Sequence, residues 1–406
     1  MKKMKYLLSI VSTLLLFVAC SKNENNEPVD PMAQRTVMVY MSGDNDLSSY
    51  AQMDIQELIA GASNIPQRGN LVVFVDRKKT GEHPFIAKVT NSQQQPLDTL
   101  YKYSSDFYAS DPEQFSAVLQ RITTLCPAHE YGLVLWGHAS GWAVSNDTIK
   151  SNRAYGQDNY KWMNITQMAV ALKSLPKMKF IFADCCNMMC AEVGYELRNV
   201  TDYLIGSPAE IPGNGAPYDK VLPHLFKDGS ALYKGIIDAY YEGYNSTASY
   251  GVPLSVIDTK YISDLANTTA SILEQTKGGY PMCPESPDLS GIAFYWGYDV
   301  PLMYDMRAVI ERLVPADAFK QWESVYQKAV PYYRMSMSWM TIYDGSSGSY
   351  DLFGAFKTFD PSLSYGCVSM FLPKDGYGYI NGDFVYNKRS VNFGWTNIMN
   401  WSRFGW

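Results

Sequence analysis

The chain has 406 residues, room for one large domain or two to three small ones. Apolar residues make up 47% and charged residues 18%, so a substantial core is available and wholesale disorder is excluded. With 34 Lys and Arg against 40 Asp and Glu, the net charge of −6 offers no basic surplus for phosphates and argues against a nucleic-acid partner, and seven Cys are too few for a disulfide scaffold.

Residues 1–19 read as an export signal, with Lys2, Lys3 and Lys5 ahead of a short apolar run from Tyr6 to Ala19. The run ends Phe17-Val18-Ala19-Cys20, which resembles a bacterial lipobox with Phe17 where Leu is usual. Cys20 is then the expected lipidation site, and residues 20–34 form a polar, Pro-containing tether. An ordinary signal peptide with an incidental Cys is the alternative. No later stretch is long and apolar enough to span a bilayer, so the chain is expected to be anchored to the membrane through its N-terminal lipid. The bacterial cell envelope is the expected location, at the outer membrane or cell surface. Lys22-Asn23-Glu24 loosely resembles the surface-export signals of some Gram-negative lipoproteins.

From Arg35 onward, strand-like and helix-like segments alternate. Thr36–Met41 is an apolar, partly β-branched run closed by Ser42-Gly43-Asp44, as expected of a buried strand. Asp46 is placed to cap a helix running to about Ala62. Leu71–Val75 reads as a second buried strand, Gly81–Tyr103 as an antiparallel excursion, and Asp111 opens a helix to about Leu125. Tyr131–Trp136 and Lys179–Ala183 are further buried strands, and Thr166–Leu175 and Met189–Asn199 are helices. Tyr203–Gly206 closes the pattern. This alternation predicts an α/β fold with a mostly parallel sheet flanked by helices on both faces. Beyond about residue 220 the pattern loosens into helical stretches and short apolar runs. Residues 35–220 are therefore read as the core, and 221–406 as an α+β extension of it or a subdomain.

Ligands of such sheets bind beyond the carboxyl ends of strands. Of the four His, only His138 follows a strong buried strand directly, in Leu135-Trp136-Gly137-His138-Ala139-Ser140-Gly141-Trp142. The strand Phe180-Ile181-Phe182-Ala183 ends in Asp184-Cys185-Cys186-Asn187-Met188. Adjacent parallel strands would bring the two exits together, and a thiol within reach of an imidazole can form a thiolate and later protonate a leaving amine. Three other readings apply to Cys185, Cys186 and Cys190. They can be buried small hydrophobes, ligands of a metal with His138, or a redox group. Adjacent Cys cannot easily turn both sulfurs to one tetrahedral centre, and no CxxC spacing is present.

The two strand-end motifs resemble those of the clostripain-like cysteine peptidases, in the caspase/gingipain/legumain clan. Val39–Leu47 is similar to that family's first strand and following turn, Ala191–Leu197 to the helix after the nucleophile, and Ser207–Tyr218 to the next loop. The resemblance implies a caspase-like fold and a cysteine endopeptidase acting on protein or peptide substrates after Arg or Lys. It aligns Cys186 with the nucleophile, Cys185 with the Ala that usually precedes it, and His138 with the catalytic His, without a third member. It assigns the oxyanion hole to the backbone amides of Ala139, which stands where Gly is usual, and Cys186. Asp184 matches the acid that faces the substrate cation; alternatively it caps the following helix. No cofactor is implied for the chemistry, although calcium dependence occurs in the family. Internal maturation occurs as well, with Lys150 or Arg153 as candidate cleavage sites in the loop before Cys186. An inactive binding lipoprotein of the same fold is the competing function.

Overall fold

Side-chain alternation along the strands decides how the layers form. Val37, Val39 and Met41 face one way and Met38 and Tyr40 the other, and all five are fully buried. Strands buried on both faces belong at the centre of a covered sheet. The computed structural model describes residues 32–142, 154–159, 161–245, 251–276, 289–298, 300–336, 338–341, 362–372, 379–380, 383–384 and 393–401.

In chain order, β1 (Ala33–Gly43) is followed by α1 (Ser48–Ala60), β2 (Gly69–Arg77), β3 (Phe85–Val89), β4 (Leu97–Lys102), α2 (Pro112–Leu125) and β5 (Ala128–Gly137). Next come β6 (Tyr155–Asp158), β7 (Lys161–Met163), α3 (Ile165–Leu172), β8 (Met178–Asp184), α4 (Ala191–Leu197) and β9 (Thr201–Gly206). The second half contributes α5 (Tyr218–Val221), α6 (Gly229–Asn245), β10 (Leu254–Asp258), α7 (Ile262–Thr276), β11 (Gly297–Tyr298), β12 (Val300–Pro301) and β13 (Met303–Asp305). It continues through α8 (Met306–Leu313), α9 (Ala316–Ala329), β14 (Tyr332–Arg334), β15 (Ser369–Phe371) and α10 (Gly394–Met399).

Nine strands form one sheet in the order β14-β10-β9-β8-β5-β1-β2-β3-β4. The five central strands, β9, β8, β5, β1 and β2, are mutually parallel, while β3 and β4 at one edge and β10 and β14 at the other run antiparallel to their neighbours. The sheet is therefore mixed, with a parallel centre. Its strands past residue 220 extend the same sheet, and Met32–Trp406 pack as one unit.

Two apolar layers cover the sheet. One joins Met38, Phe74, Leu133 and Ile181 to α2, α3, α4 and the helices α7 to α10. The other joins Val39, Val73, Val134 and Phe182 to α1, α5 and α6. Truncating one such buried Leu or Phe to Ala costs about 2–5 kcal/mol, because the lost contacts leave a cavity. Local signals agree with the fold at α2, where the Asp111 carboxylate accepts from the amides of Glu113 and Gln114 ahead of Pro112 at the first turn.

Several segments differ from expectation. Tyr155–Asp158 and Lys161–Met163, read as part of a polar loop, pair as the antiparallel strands β6 and β7. One of the short apolar runs of the second half, residues 292–296, is not a strand of its own and makes an isolated bridge, Phe294 to Tyr304, on one side of Met303–Asp305, whose other side pairs with Ser369–Phe371. The helix expected from Met189 starts at Ala191, and the helix expected from Asp46 starts at Ser48.

Candidate active site

Strands β5 and β8 are neighbours, and their register pairs Trp136 with Asp184. His138 and Cys186 each lie two residues past that pair, so the predicted imidazole and thiol leave the sheet side by side. Both line one cleft of about 330 Å³ at the carboxyl ends of the strands. The strand exits are tightly packed. Gly137 has φ +138, and a Cβ there would lie 2.8 Å from the Ser42 carbonyl oxygen. Gly141 has φ +61, and a Cβ there would lie 2.3 Å from the Asn187 carbonyl oxygen. Glycine at 137 lets the β5 exit lie against β1, and glycine at 141 lets the His138 loop approach the Cys186 loop this closely.

His138 has a carboxylate partner that the sequence reading assigned elsewhere. Its Nε2 lies 2.8 Å from Asp46 Oδ1. Asp46 does not cap α1, whose N-cap residue is Leu47 with no side-chain cap. The adjacent Asn45 shapes the turn, accepting from the Leu47 amide at 2.8 Å and donating to the carbonyls of Ser42 and Gln157. That arrangement frees the Asp46 carboxylate to turn towards the imidazole.

Burial separates the adjacent thiols. Cys185 is fully buried in the core, and desolvation raises its pKa well above the ordinary thiol value. Cys190 is held up in the same way. Such thiols stay protonated and inert. Cys186 is partly exposed at the cleft, and its Sγ accepts from the Ile211 amide at 3.4 Å. The five Cys among the described residues are all free. One thiol thus borders the cleft while the other four are buried, and a dithiol redox centre has no second accessible sulfur among them.

Asp184 sits at the floor of the cleft, about 2% exposed. It caps no helix, since α4 begins at Ala191 after Cys190. Its carboxylate instead accepts from the Ala216 amide, from Tyr218 Oη at 2.8 Å and from Tyr240 Oη at 3.1 Å. Burial pushes it up to about 6, and the three donors hold it below a second buried acid, Asp54, which burial pushes to about 8. Gly215, at φ +59, gives the carboxylate its space, because a Cβ there would lie 2.7 Å from Oδ2. Tyr218 and Tyr240 come from the second half of the sequence, as does Met340, which bridges to Glu210 at the cleft wall. None of these three was predicted as a site residue from sequence; no local pattern marks a residue whose role depends on a distant strand.

Around Ala139 an antiparallel bridge to Tyr155 is built from Ser140 N–H to the Ala154 carbonyl and Gly156 N–H to the His138 carbonyl. The Ala139 amide takes no part in that ladder. Cys20, Lys150 and Arg153 lie outside the described residues. Among the described residues no group of three or more His, Cys, Asp or Glu could hold a metal ion, and no helix is long and apolar enough to cross a membrane.

A parallel-centred sheet with His and Cys at adjacent strand exits is the caspase-like arrangement of cysteine peptidases. The clostripain family model matches residues 39–358, and the chain belongs to that family. It is similar to a secreted C11 cysteine protease from Bacteroides thetaiotaomicron, solved with an irreversible peptide inhibitor, at 29% identity and a TM-score of 0.76 over 91% of this chain and 99% of that one. An inactive zymogen C11 protease from Parabacteroides distasonis matches at 26% identity and a TM-score of 0.73, again over 91% and 99%. A second secreted C11 protease from Bacteroides thetaiotaomicron, at 20% identity and a TM-score of 0.72 over the same shares, adds likeness of fold. No curated protein matches by sequence. The protein is a cysteine peptidase with a caspase-like α/β fold.

Proposed function

We propose that the protein is an endopeptidase that cleaves polypeptides after Arg or Lys, with Cys186 as nucleophile and His138 as proton carrier. The observation that carries the specificity is the lining of the cleft. Asp46, Asp184 and Glu210 contribute to it, and its described lining contains no Lys or Arg. A cationic side chain entering beside Cys186 would meet Asp184, whose two oxygens accept three hydrogen bonds and keep lone-pair capacity for a guanidinium or ammonium.

In the first step the Cys186 thiol gives its proton to His138 as the sulfur attacks the scissile carbonyl carbon, and the carbonyl oxygen becomes an oxyanion, to which the amides of Ala139 and Cys186 would donate. The C–N bond breaks as His138 passes a proton to the departing amine, leaving a thioester on Cys186. His138 then takes a proton from water, whose oxygen attacks the thioester carbon; the C–S bond breaks as His138 returns the proton to the sulfur, releasing the carboxyl product and restoring the thiol. The chemistry as written needs no cofactor.

The N-terminal features support a further part of the reading, in which residues 1–19 are removed and Cys20 carries lipid at the cell envelope, with residues 20–34 as tether. Cleavage at Lys150 or Arg153 is the proposed maturation step, with calcium as its candidate modulator. The test assays the purified protein on fluorogenic peptides ending in Arg, Lys, Leu or Asp, with and without calcium. Hydrolysis after Arg and Lys that disappears in Cys186→Ala is expected. No hydrolysis of any peptide, even after limited trypsin treatment, would transfer the assignment to a binding lipoprotein of this fold.

A further inference from the structure

We propose that Asp46 is a positioning residue of this site, holding His138 in the Nε2–H tautomer and in one orientation, so that Nδ1 is the nitrogen that takes and gives the proton in the reaction. The proposal rests on the peptidase reading for its consequence in catalysis, while its structural part stands on geometry. A carboxylate at neutral pH only accepts, so a contact of 2.8 Å from His138 Nε2 to Asp46 Oδ1 puts the hydrogen on Nε2 and leaves the Nδ1 lone pair for chemistry.

Exposed ion pairs are common and mostly add little, and Asp46 is 78% exposed at its side chain. What distinguishes this one is that both partners hang from the same strand. Gln157 of β6 accepts from the Asn45 side chain at 2.6 Å, which sets the turn carrying Asp46. Gly156 of β6 donates to the His138 carbonyl at 2.8 Å, which sets the loop carrying the imidazole. Tyr155 of β6 extends beneath both, its hydroxyl directed at the carbonyls of Tyr40 and Trp136. A surface pair formed by two mobile side chains would need none of this backbone support. The other ionisable groups of the cleft are Tyr50 on α1, Asp184 and Cys186 at the β8 exit, and Glu210 on the loop after β9. Trp162 of β7 stands beside the imidazole, with ring centroids 6.2 Å apart.

The test compares the wild-type protein with Asp46→Asn and Asp46→Ala. Asparagine keeps an acceptor for Nε2–H and loses the charge; alanine loses both. With four His in the chain, histidine-selective 15N labelling resolves the His138 ring. In alkaline buffer the wild type and Asp46→Asn should show the Nε2–H tautomer, and Asp46→Ala a mixture of both. On an Arg-ended peptide, Asp46→Ala should lose about tenfold to a hundredfold in kcat, a share of what general acid–base catalysis contributes, with KM little changed. Asp46→Asn should recover part of that loss. An unchanged tautomer in Asp46→Ala, or unchanged kcat, would reduce Asp46 to a surface ion pair and overturn the proposal. If the wild type hydrolysed no peptide, the peptidase reading would fail by itself, and the ring signals would still decide whether Asp46 positions His138.

Discussion

Trp136 and Asp184 face each other across adjacent parallel strands, and each is tied to a different buried acid system. The Trp136 indole N–H donates to Asp54 at 2.5 Å, and Asp184 is held by Ala216, Tyr218 and Tyr240. Two neighbouring carboxyls in a dry interior cannot both ionise cheaply, so their environments assign the charge. Asp184, with three donors, is the one that becomes an anion near neutrality; Asp54, with one, stays protonated there. The charge is thus delivered to the floor of the cleft.

That assignment has a pH signature. Asp184 sits at about 6, above the ordinary carboxylate value, so it holds its proton below 6 and releases it as pH rises through that value. Selectivity for Arg over an uncharged isostere at the same position should therefore grow as pH rises through about 6. The matching stability effect has the opposite sense. The folded state binds the proton more tightly than the unfolded one, so stability is lost between the unfolded value and about 6 as pH rises. Asp184→Asn should flatten the selectivity profile, measured as the ratio of kcat/KM for paired peptides. A ratio that stays constant with pH in the wild type would contradict the assignment.

The two adjacent thiols should behave oppositely. Iodoacetamide on the native protein should modify Cys186 and spare Cys185, whose burial keeps it protonated and covered. Cys186→Ala should abolish hydrolysis at nearly unchanged stability. Cys185→Ala should keep hydrolysis and lose about 1 kcal/mol from the vacated core volume. Peptide mapping after alkylation checks the first point and denaturant titration the second.

A buried carboxyl pair should make the fold sensitive to alkali. Asp76 near the end of β2 and Asp158 at the end of β6 hydrogen-bond to one another, and both are held above the ordinary value, first by burial; repulsion from Asp158 then raises Asp76 further, whereas the hydrogen bond from Asp76 lowers Asp158, which Asp44 and Asp106 push up. For Asp158 the Ala109 amide, donating to Oδ2 at 2.6 Å, offsets part of the rise. Groups with raised folded-state values lose stability as pH rises, so Tm should fall on the alkaline side. Asp76→Asn leaves a donor for Asp158 and removes one charge. Its Tm should fall less steeply there, although Asp54 and Glu192, each at about 8, retain their share. Parallel curves for the two proteins would dismiss the pair as the cause.

Two glycines with similar backbone angles offer a controlled comparison. Gly141→Ala introduces a methyl 2.3 Å from the Asn187 carbonyl oxygen, between the His138 and Cys186 loops. It should cost about 1–3 kcal/mol in stability and lower kcat by separating the loops. Gly81→Ala, at φ +76 with nothing within 4 Å, should carry only backbone strain of about 1 kcal/mol and leave kcat alone. Equal kcat in both variants would show that the close approach at Gly141 does not position the site.

The parts of the fold legible in the sequence share one property, a local pattern strong enough to stand alone. The central strands are apolar and rich in β-branched residues, and Asp111-Pro112 announces α2. Where the pattern is short or polar, reading fails. Tyr155–Asp158 and Lys161–Met163 look like loop, and Tyr332–Arg334 shows no strand pattern of its own. Their strand character comes from the partners that receive them, Ala139 and β10, rather than from their own side chains.

By itself the sequence determined the alternation of strands and helices, the position of His138 and a thiol pair at strand ends, and the resemblance that favoured Cys186 within that pair. These follow from hydrophobic periodicity and from residues close together in the chain. Only the tertiary structure decided that Asp46 faces His138 rather than capping a helix, that Cys185 is buried while Cys186 borders the cleft, and that Tyr218 and Tyr240 hold Asp184. The physical reason is that charge state and reactivity depend on burial and on hydrogen-bond partners. Those partners arrive from strands and helices far away in sequence, when the sheet closes around them.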